Sequence, residues 1–241
     1  MKTITYYLFI FFIYSIIGWI TETTYTSIRQ KKILDRGFLI GPYCPIYGFG
    51  AVGGILYLTQ YKDNIFTVFI LGLILACFME YITSYIMEKI FKARWWDYSD
   101  RLFNLNGRIC GANAILFGIT AIVIIYILQP IINYIINKIN YKILLILTII
   151  LFIVFLTDFI ISSITINKLR KNLSNIEIKK DSTSEIKKQV LDALTIIKKN
   201  GKTKKNILQK RIIKAYPNID LKKLINIRND KYEKLKGLFK K

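Results

Sequence analysis

Ile143-Leu144-Leu145-Ile146-Leu147-Thr148-Ile149-Ile150-Leu151-Phe152-Ile153-Val154-Phe155-Leu156-Thr157-Asp158-Phe159-Ile160-Ile161-Ser162-Ser163-Ile164-Thr165-Ile166 is a run of 24 residues with one charge. As a helix rising about 1.5 Å per residue it reaches about 36 Å, enough to cross the roughly 30 Å of a bilayer's hydrocarbon. The composition changes abruptly where the run ends. From Asn167 to Lys241 there are 23 Lys or Arg against 7 Asp or Glu, while Met1 to Ile166 holds 13 against 8. The chain is an oily region, 1–166, joined to a strongly basic one, 167–241.

Four more apolar runs precede this one, at 4–20, 40–59, 65–85 and 109–129. The expected fold is therefore all-α: a polytopic membrane protein of about five transmembrane helices, with a short, helical, basic cytoplasmic tail. The run 40–59 carries Pro42, Pro45, Gly48, Gly50, Gly53 and Gly54, so its start reads as irregular. The first run has only Lys2 as a basic flank and no small-residue cleavage signal after it, and reads as retained.

Positive residues set the orientation. The connection 29–36 carries Arg29, Lys31, Lys32 and Arg36, and 87–108 carries Lys89, Lys92, Arg94, Arg101 and Arg108. The opposite side has Lys2, Lys62, Lys138 and Lys142. Because Lys and Arg stay in the cytosol, the N-terminus is expected outside and the tail inside a cell membrane. Tyr6, Tyr7, Tyr57, Tyr61, Tyr126, Tyr134 and Tyr141 then form an outer aromatic belt, with Trp19, Trp95 and Trp96 at the inner interface.

Composition also excludes chemistry. The chain has no histidine, so it has no Ser-His or Cys-His nucleophile pair and no His-ligated metal. Three widely spaced cysteines, Cys44, Cys77 and Cys110, read as free thiols. No metal or cofactor is expected.

Three acids, Glu22, Glu80 and Asp158, lie within or at the ends of spans. An intramembrane carboxylate needs a partner or a water-filled cavity. With the orientation above all three fall toward the cytoplasmic side. The adjoining connections mix Gly, aromatic, Arg and amide residues, and Glu80, Ser84 and Glu88 share one helix face. A polar pocket is expected there, lined by Glu22, Arg36, Glu80, Arg94, Asp97, Asn104, Asn106, Arg108 and Asp158. The competing reading has these charges pairing to hold helices together, or Glu22 and Glu80 snorkelling to the interface. A loose repeat aligns Glu22, Arg36, Cys44 and Gly50 with Glu80, Arg108, Cys110 and Gly118.

Tyr14-Ser15-Ile16-Ile17-Gly18-Trp19-Ile20-Thr21-Glu22 leads to Arg36-Gly37-Phe38-Leu39-Ile40-Gly41-Pro42-Tyr43-Cys44-Pro45-Ile46-Tyr47-Gly48-Phe49-Gly50, and later come Trp96-Asp97-Tyr98-Ser99 and Phe103-Asn104-Leu105-Asn106-Gly107-Arg108-Ile109-Cys110. With Arg211-Ile212-Ile213-Lys214-Ala215-Tyr216-Pro217-Asn218, these stretches resemble the bacterial ABC-transporter type IV permeases, the CmpB-like family. The resemblance implies a permease subunit served by a separate ATP-binding subunit. No Gly-x-x-x-x-Gly-Lys-Ser/Thr loop is present, so the chain is not itself that ATPase.

In the tail, Ile186, Val190, Leu194 and Ile197 fall on one face of a helix over 185–199, and a second helix over 207–215 ends before Pro217. Basic residues just inside a membrane are drawn to anionic inner-leaflet lipid. With only Tyr216, Tyr232 and Phe239 as aromatics, no nucleic acid is expected. Three functions follow: a transport component whose Arg36, Arg94 and Arg108 favour anionic groups, a membrane enzyme acting on lipid or cell-envelope precursors through paired carboxylates, or a non-catalytic scaffold or sensor.

Overall fold

Apolar periodicity and end-capping chemistry together set the helix boundaries. The structure, a computed structural model, describes residues 2–31, 33–91, 95–173 and 205–215. The described residues form helices α1 (Lys2–Gln30), α2 (Pro45–Leu58), α3 (Ile65–Phe91), α4 (Gly111–Val123), α5 (Gln129–Asn137), α6 (Tyr141–Leu173) and α7 (Lys205–Ala215). No strand forms among them; Leu105 and Ile109 make one isolated bridge. Asn64 caps α3 by accepting from the N–H groups of Phe66 and Thr67 at 3.0 and 3.1 Å. Asn140 does the same for α6 through Lys142. At the other end of α1, Lys31 takes a left-handed φ of 50° and closes the last turn.

Four helical stretches are long and apolar enough to cross a membrane: Lys2–Arg29, Ile65–Phe91, Gly111–Asn137 and Tyr141–Leu169. The run 40–59 differs from the expectation. Only 14 residues of it become α2, and the chain from 33 to 44 is non-helical. Pro42 and Pro45 account for the difference: neither can donate to a helical ladder, and Pro45 is tolerated because it stands in the first turn. A 3-10 turn, Thr59–Tyr61, continues α2.

The chain divides into two compact units. The first comprises residues 1–83 and 98–159. In it α1 and α2 pack antiparallel at very short range: a Cβ on Gly48 would stand 2.3 Å from Ser15 Oγ and 2.5 Å from the Phe11 carbonyl oxygen. A Cβ on Gly18 would meet the Tyr47 ring at 2.3 Å. Around this pair, Ile10, Tyr14, Ala51, Ile55, Leu58, Val68, Ile125, Ile132, Ile136 and Leu144 form the core. The second unit comprises 84–97 and 160–241; there Phe91, Trp95, Ile166, Leu169, Ile212 and Ile213 are buried. The tail helix expected over 207–215 is present as α7, whereas the stripe from Ile186 to Ile197 lies outside the described residues.

Helix α6 is inverted relative to a helix of a water-soluble protein. Leu144, Thr148, Asp158, Ser162, Thr165 and Leu169 are buried and, with the half-buried Leu151 and Phe155 between Thr148 and Asp158, recur at steps of three and four, while Ile143, Ile146, Ile150, Ile153, Ile160 and Ile164 are exposed. Polar groups face protein and aliphatic groups face outward, as lipid requires. Between α4 and α5 the chain does not break but widens to a π-helical segment, Ile124–Leu128, just before Pro130. Beyond it Gln129 is buried, accepting from the Tyr14 hydroxyl at 2.9 Å and donating to Tyr6 and Asn133 at 2.9 and 2.8 Å.

The tight α1–α2 contact gives a direct test. Gly48→Leu should lower stability by about 1–3 kcal/mol, as overpacked cores do, whereas Gly50→Ala, with nothing within 4 Å, should be neutral or slightly stabilising. Thermal aggregation of the detergent-solubilised variants checks both.

Candidate functional site

The return from α1 folds back along the helix it leaves. Leu34 N–H donates to Ser27 Oγ at 3.1 Å, and Trp19 Nε1 to Asp35 Oδ1 at 3.3 Å. This brings Arg36 level with Glu22. The guanidinium holds Glu22 Oε1 through Nε at 3.1 Å and Nη2 at 2.7 Å, and the Tyr47 hydroxyl donates to Oε2 at 2.8 Å. Glu22 thus has both oxygens served in a half-buried setting.

Asp158 is served equally well, by different donors. Gly37, at φ 110°, turns the chain so that the following backbone faces α6. Ile40 N–H donates to Asp158 Oδ1 at 2.9 Å; Gly41 N–H and the Tyr43 hydroxyl donate to Oδ2 at 2.7 and 2.6 Å. Asp158 is buried, and its carboxylate supplies acceptors to backbone that no helix could satisfy.

Glu80 contrasts with both. It is 8% exposed, its Oε1 accepts from Tyr98 at a long 3.3 Å, and its Oε2 is buried with no hydrogen-bond partner among the described residues. Tyr98 is bonded to Glu80 and lies within electrostatic reach of Glu22. Burial first, then the negative charges of Glu80 and Glu22, raise its phenol above the ordinary value, so it remains a donor; its side chain also pairs with Asn113.

The remaining expected residues divide. Arg108 is buried with its guanidinium 5.6 Å from the centre of the Tyr81 ring, and Asn106 donates to the Tyr81 hydroxyl at 2.9 Å. Asn104 holds its own loop, donating to the carbonyls of Ser99 and Arg101 and accepting from Gly107 N–H. Asp97 is exposed and belongs to the second unit; Arg94 lies outside the described residues. The structure therefore gathers Glu22, Arg36 and Glu80 around Tyr47 and Tyr98, and sets Asp158 in a separate cradle. Sequence reasoning missed Tyr43, Tyr47, Tyr81 and Tyr98. Two of them stand four apart inside the Gly/Pro-rich run, which was the available signal. Cys44, Cys77 and Cys110 are not joined in disulfides, and Cys44 and Cys110 each occupy the residue before a helix, α2 and α4. No group of three or more His, Cys, Asp or Glu able to hold a metal occurs among the described residues.

Long lipid-facing helices joined around buried carboxylates define a multi-pass, all-helical membrane protein. Residues 9–163 match the model of the family described as "Putative ABC-transporter type IV", and the chain belongs to that family. The match takes in every expected site residue and stops short of the basic tail. No curated protein and no solved structure matches the chain.

The three acids should separate experimentally. Asp158→Ala strands two backbone N–H groups and a hydroxyl, at about 1–3 kcal/mol per buried group, so a loss of at least about 3 kcal/mol is expected. Glu80→Gln, which removes no strong contact, should stay within about 0.5 kcal/mol of the parent. Denaturation in detergent distinguishes them.

Proposed function

We propose that this chain is the membrane-spanning component of a transport system, and that its solute engages the cluster of Glu22, Arg36, Tyr47, Glu80 and Tyr98. Glu80 carries the reading. A buried carboxylate oxygen without a donor is expensive unless something arrives to fill it. Arg36 already spends its guanidinium on Glu22, so the group left open is an acceptor rather than a cation. A solute bearing N–H or O–H donors, and preferably a positive charge, suits it better than an anion. Family membership supports the transport class and a separate ATP-binding subunit as partner.

The N-terminus is placed outside and the basic segment 167–241, treated as a tail domain, in the cytosol, because the connections richest in Lys and Arg flank the same helix ends. The tail's surplus of cations suits anionic inner-leaflet lipid.

Three measurements test this. Affinity capture of the membrane-embedded protein should bring down a nucleotide-binding subunit. Deletion of the gene should change the uptake or export of a solute, and Glu80→Gln should reproduce the deletion while the protein accumulates normally. Unchanged fluxes in both strains would rule the reading out. A reporter active only outside the cytosol should work when fused after Lys62 and fail after Arg101.

A further inference from the structure

The connection between α3 and α4 is a built loop. Tyr98 N–H donates to the Gly107 carbonyl at 2.8 Å, Arg101 N–H to Tyr98 at 2.8 Å, and Arg108 N–H to Leu105 at 3.0 Å. Asn104 adds its three side-chain bonds from inside the turn. Within this frame Phe103 is held at φ 53°, a left-handed conformation that an aromatic residue rarely adopts. Such a conformation costs on the order of 1–3 kcal/mol and persists only where the surroundings impose it.

What the loop presents is apolar. Leu102 is 84% exposed and Phe103 89% exposed, and Leu105 is exposed beside them. Arg101 is exposed too. A rigid, strained turn that lifts two large side chains away from the protein has no rationale in bulk water. Its position supplies one. The Leu102 carbonyl accepts from Gly111 N–H at 3.2 Å, and a Cβ on Gly111 would stand 3.1 Å from that of Phe103. The tip is thus pinned against the first residue of α4. From there the exposed Ile115, Leu116 and Ile119 continue the apolar surface along a membrane-spanning helix.

We propose that Leu102 and Phe103 form a wedge inserted into the headgroup–acyl boundary of the bilayer crossed by the Gly111–Asn137 stretch that α4 begins, with Arg101 at the phosphate level. An apolar pair with a neighbouring cation matches the chemistry of that boundary, where the ring and the isobutyl group leave water and the guanidinium meets an anion. The wedge anchors the connection that carries Tyr98 and Arg108. It holds whatever the solute, and whether or not the transport reading survives.

The test uses full-length protein in vesicles of phosphatidylethanolamine and phosphatidylglycerol. A nitroxide is attached at Phe103→Cys, at Leu102→Cys and, as the water-side control, at Asp100→Cys; Cys44 and Cys110 are buried and Cys77 half-buried within α3. Collisions with dissolved oxygen, which concentrates in lipid, should exceed those with a water-soluble nickel chelate at 102 and 103, and the order should reverse at 100. If the chelate wins at both 102 and 103, the wedge is overturned and a protein partner becomes the occupant of the tip. The two independent positions keep the result readable should one variant fail to fold.

Discussion

Backbone that is not helical cannot sit among membrane-spanning helices unless its N–H groups find acceptors, and Asp158 meets that demand for the segment between α1 and α2. Its carboxylate takes Ile40 and Gly41 N–H and the Tyr43 hydroxyl, spending an acidic side chain on main chain rather than on a cation. Much follows from that arrangement. With the segment fixed, Pro45 can open α2 at the right height, Gly48 can lie against Ser15, and Tyr47 can reach Glu22. Phe155 and Phe159, on either side of Asp158 along α6, pack against Tyr43 and Phe38 of the same segment with ring centres 6.0 and 6.4 Å apart.

The acids therefore have different standing despite similar positions in the sequence. Glu22 is neutralised by Arg36 and bonded by Tyr47, and Asp158 has three short donors; both are accounted for by folding. Glu80 has one long bond and a bare oxygen. The fold thus satisfies one half-buried and one buried carboxylate fully and leaves the third, Glu80, with an oxygen unbonded among the described residues. Tyr98, kept protonated by its surroundings, supplies that one long bond.

The sequence made the spanning helices legible because hydropathy over some twenty residues is a one-dimensional property. It was less informative over 40–59, where apolar composition suggests a span while Pro42 and Pro45 limit the helix to its second part. Glu22, Arg36, Glu80 and Asp158 were visible as costly charges. Their pairing was not, since it depends on how a non-helical return lies against α1 and α6. The partners of Asp158 are main-chain N–H groups, which every non-proline residue has and no composition betrays. The tyrosines were hidden differently: in a membrane protein the aromatic-belt explanation absorbs them before a hydrogen-bonding role is considered. Asn104 and Asn106, read as lining, bond their loop and the Tyr81 hydroxyl, contacts that composition does not reveal.

The π-helical segment has a consequence for the register of everything after it. One extra residue accommodated in a helix turns the downstream side chains by about 100° about the axis. Were Ile124–Leu128 wound as ordinary α-helix instead, Gln129 and Ile132 would swing away from the core they now share with Tyr14 and Ile10, and a carboxamide would be presented to hydrocarbon. The widened turn thus acts as a phase correction. It lets one continuous rod present two differently aimed faces, keeping the amide inside without interrupting the helix that carries it.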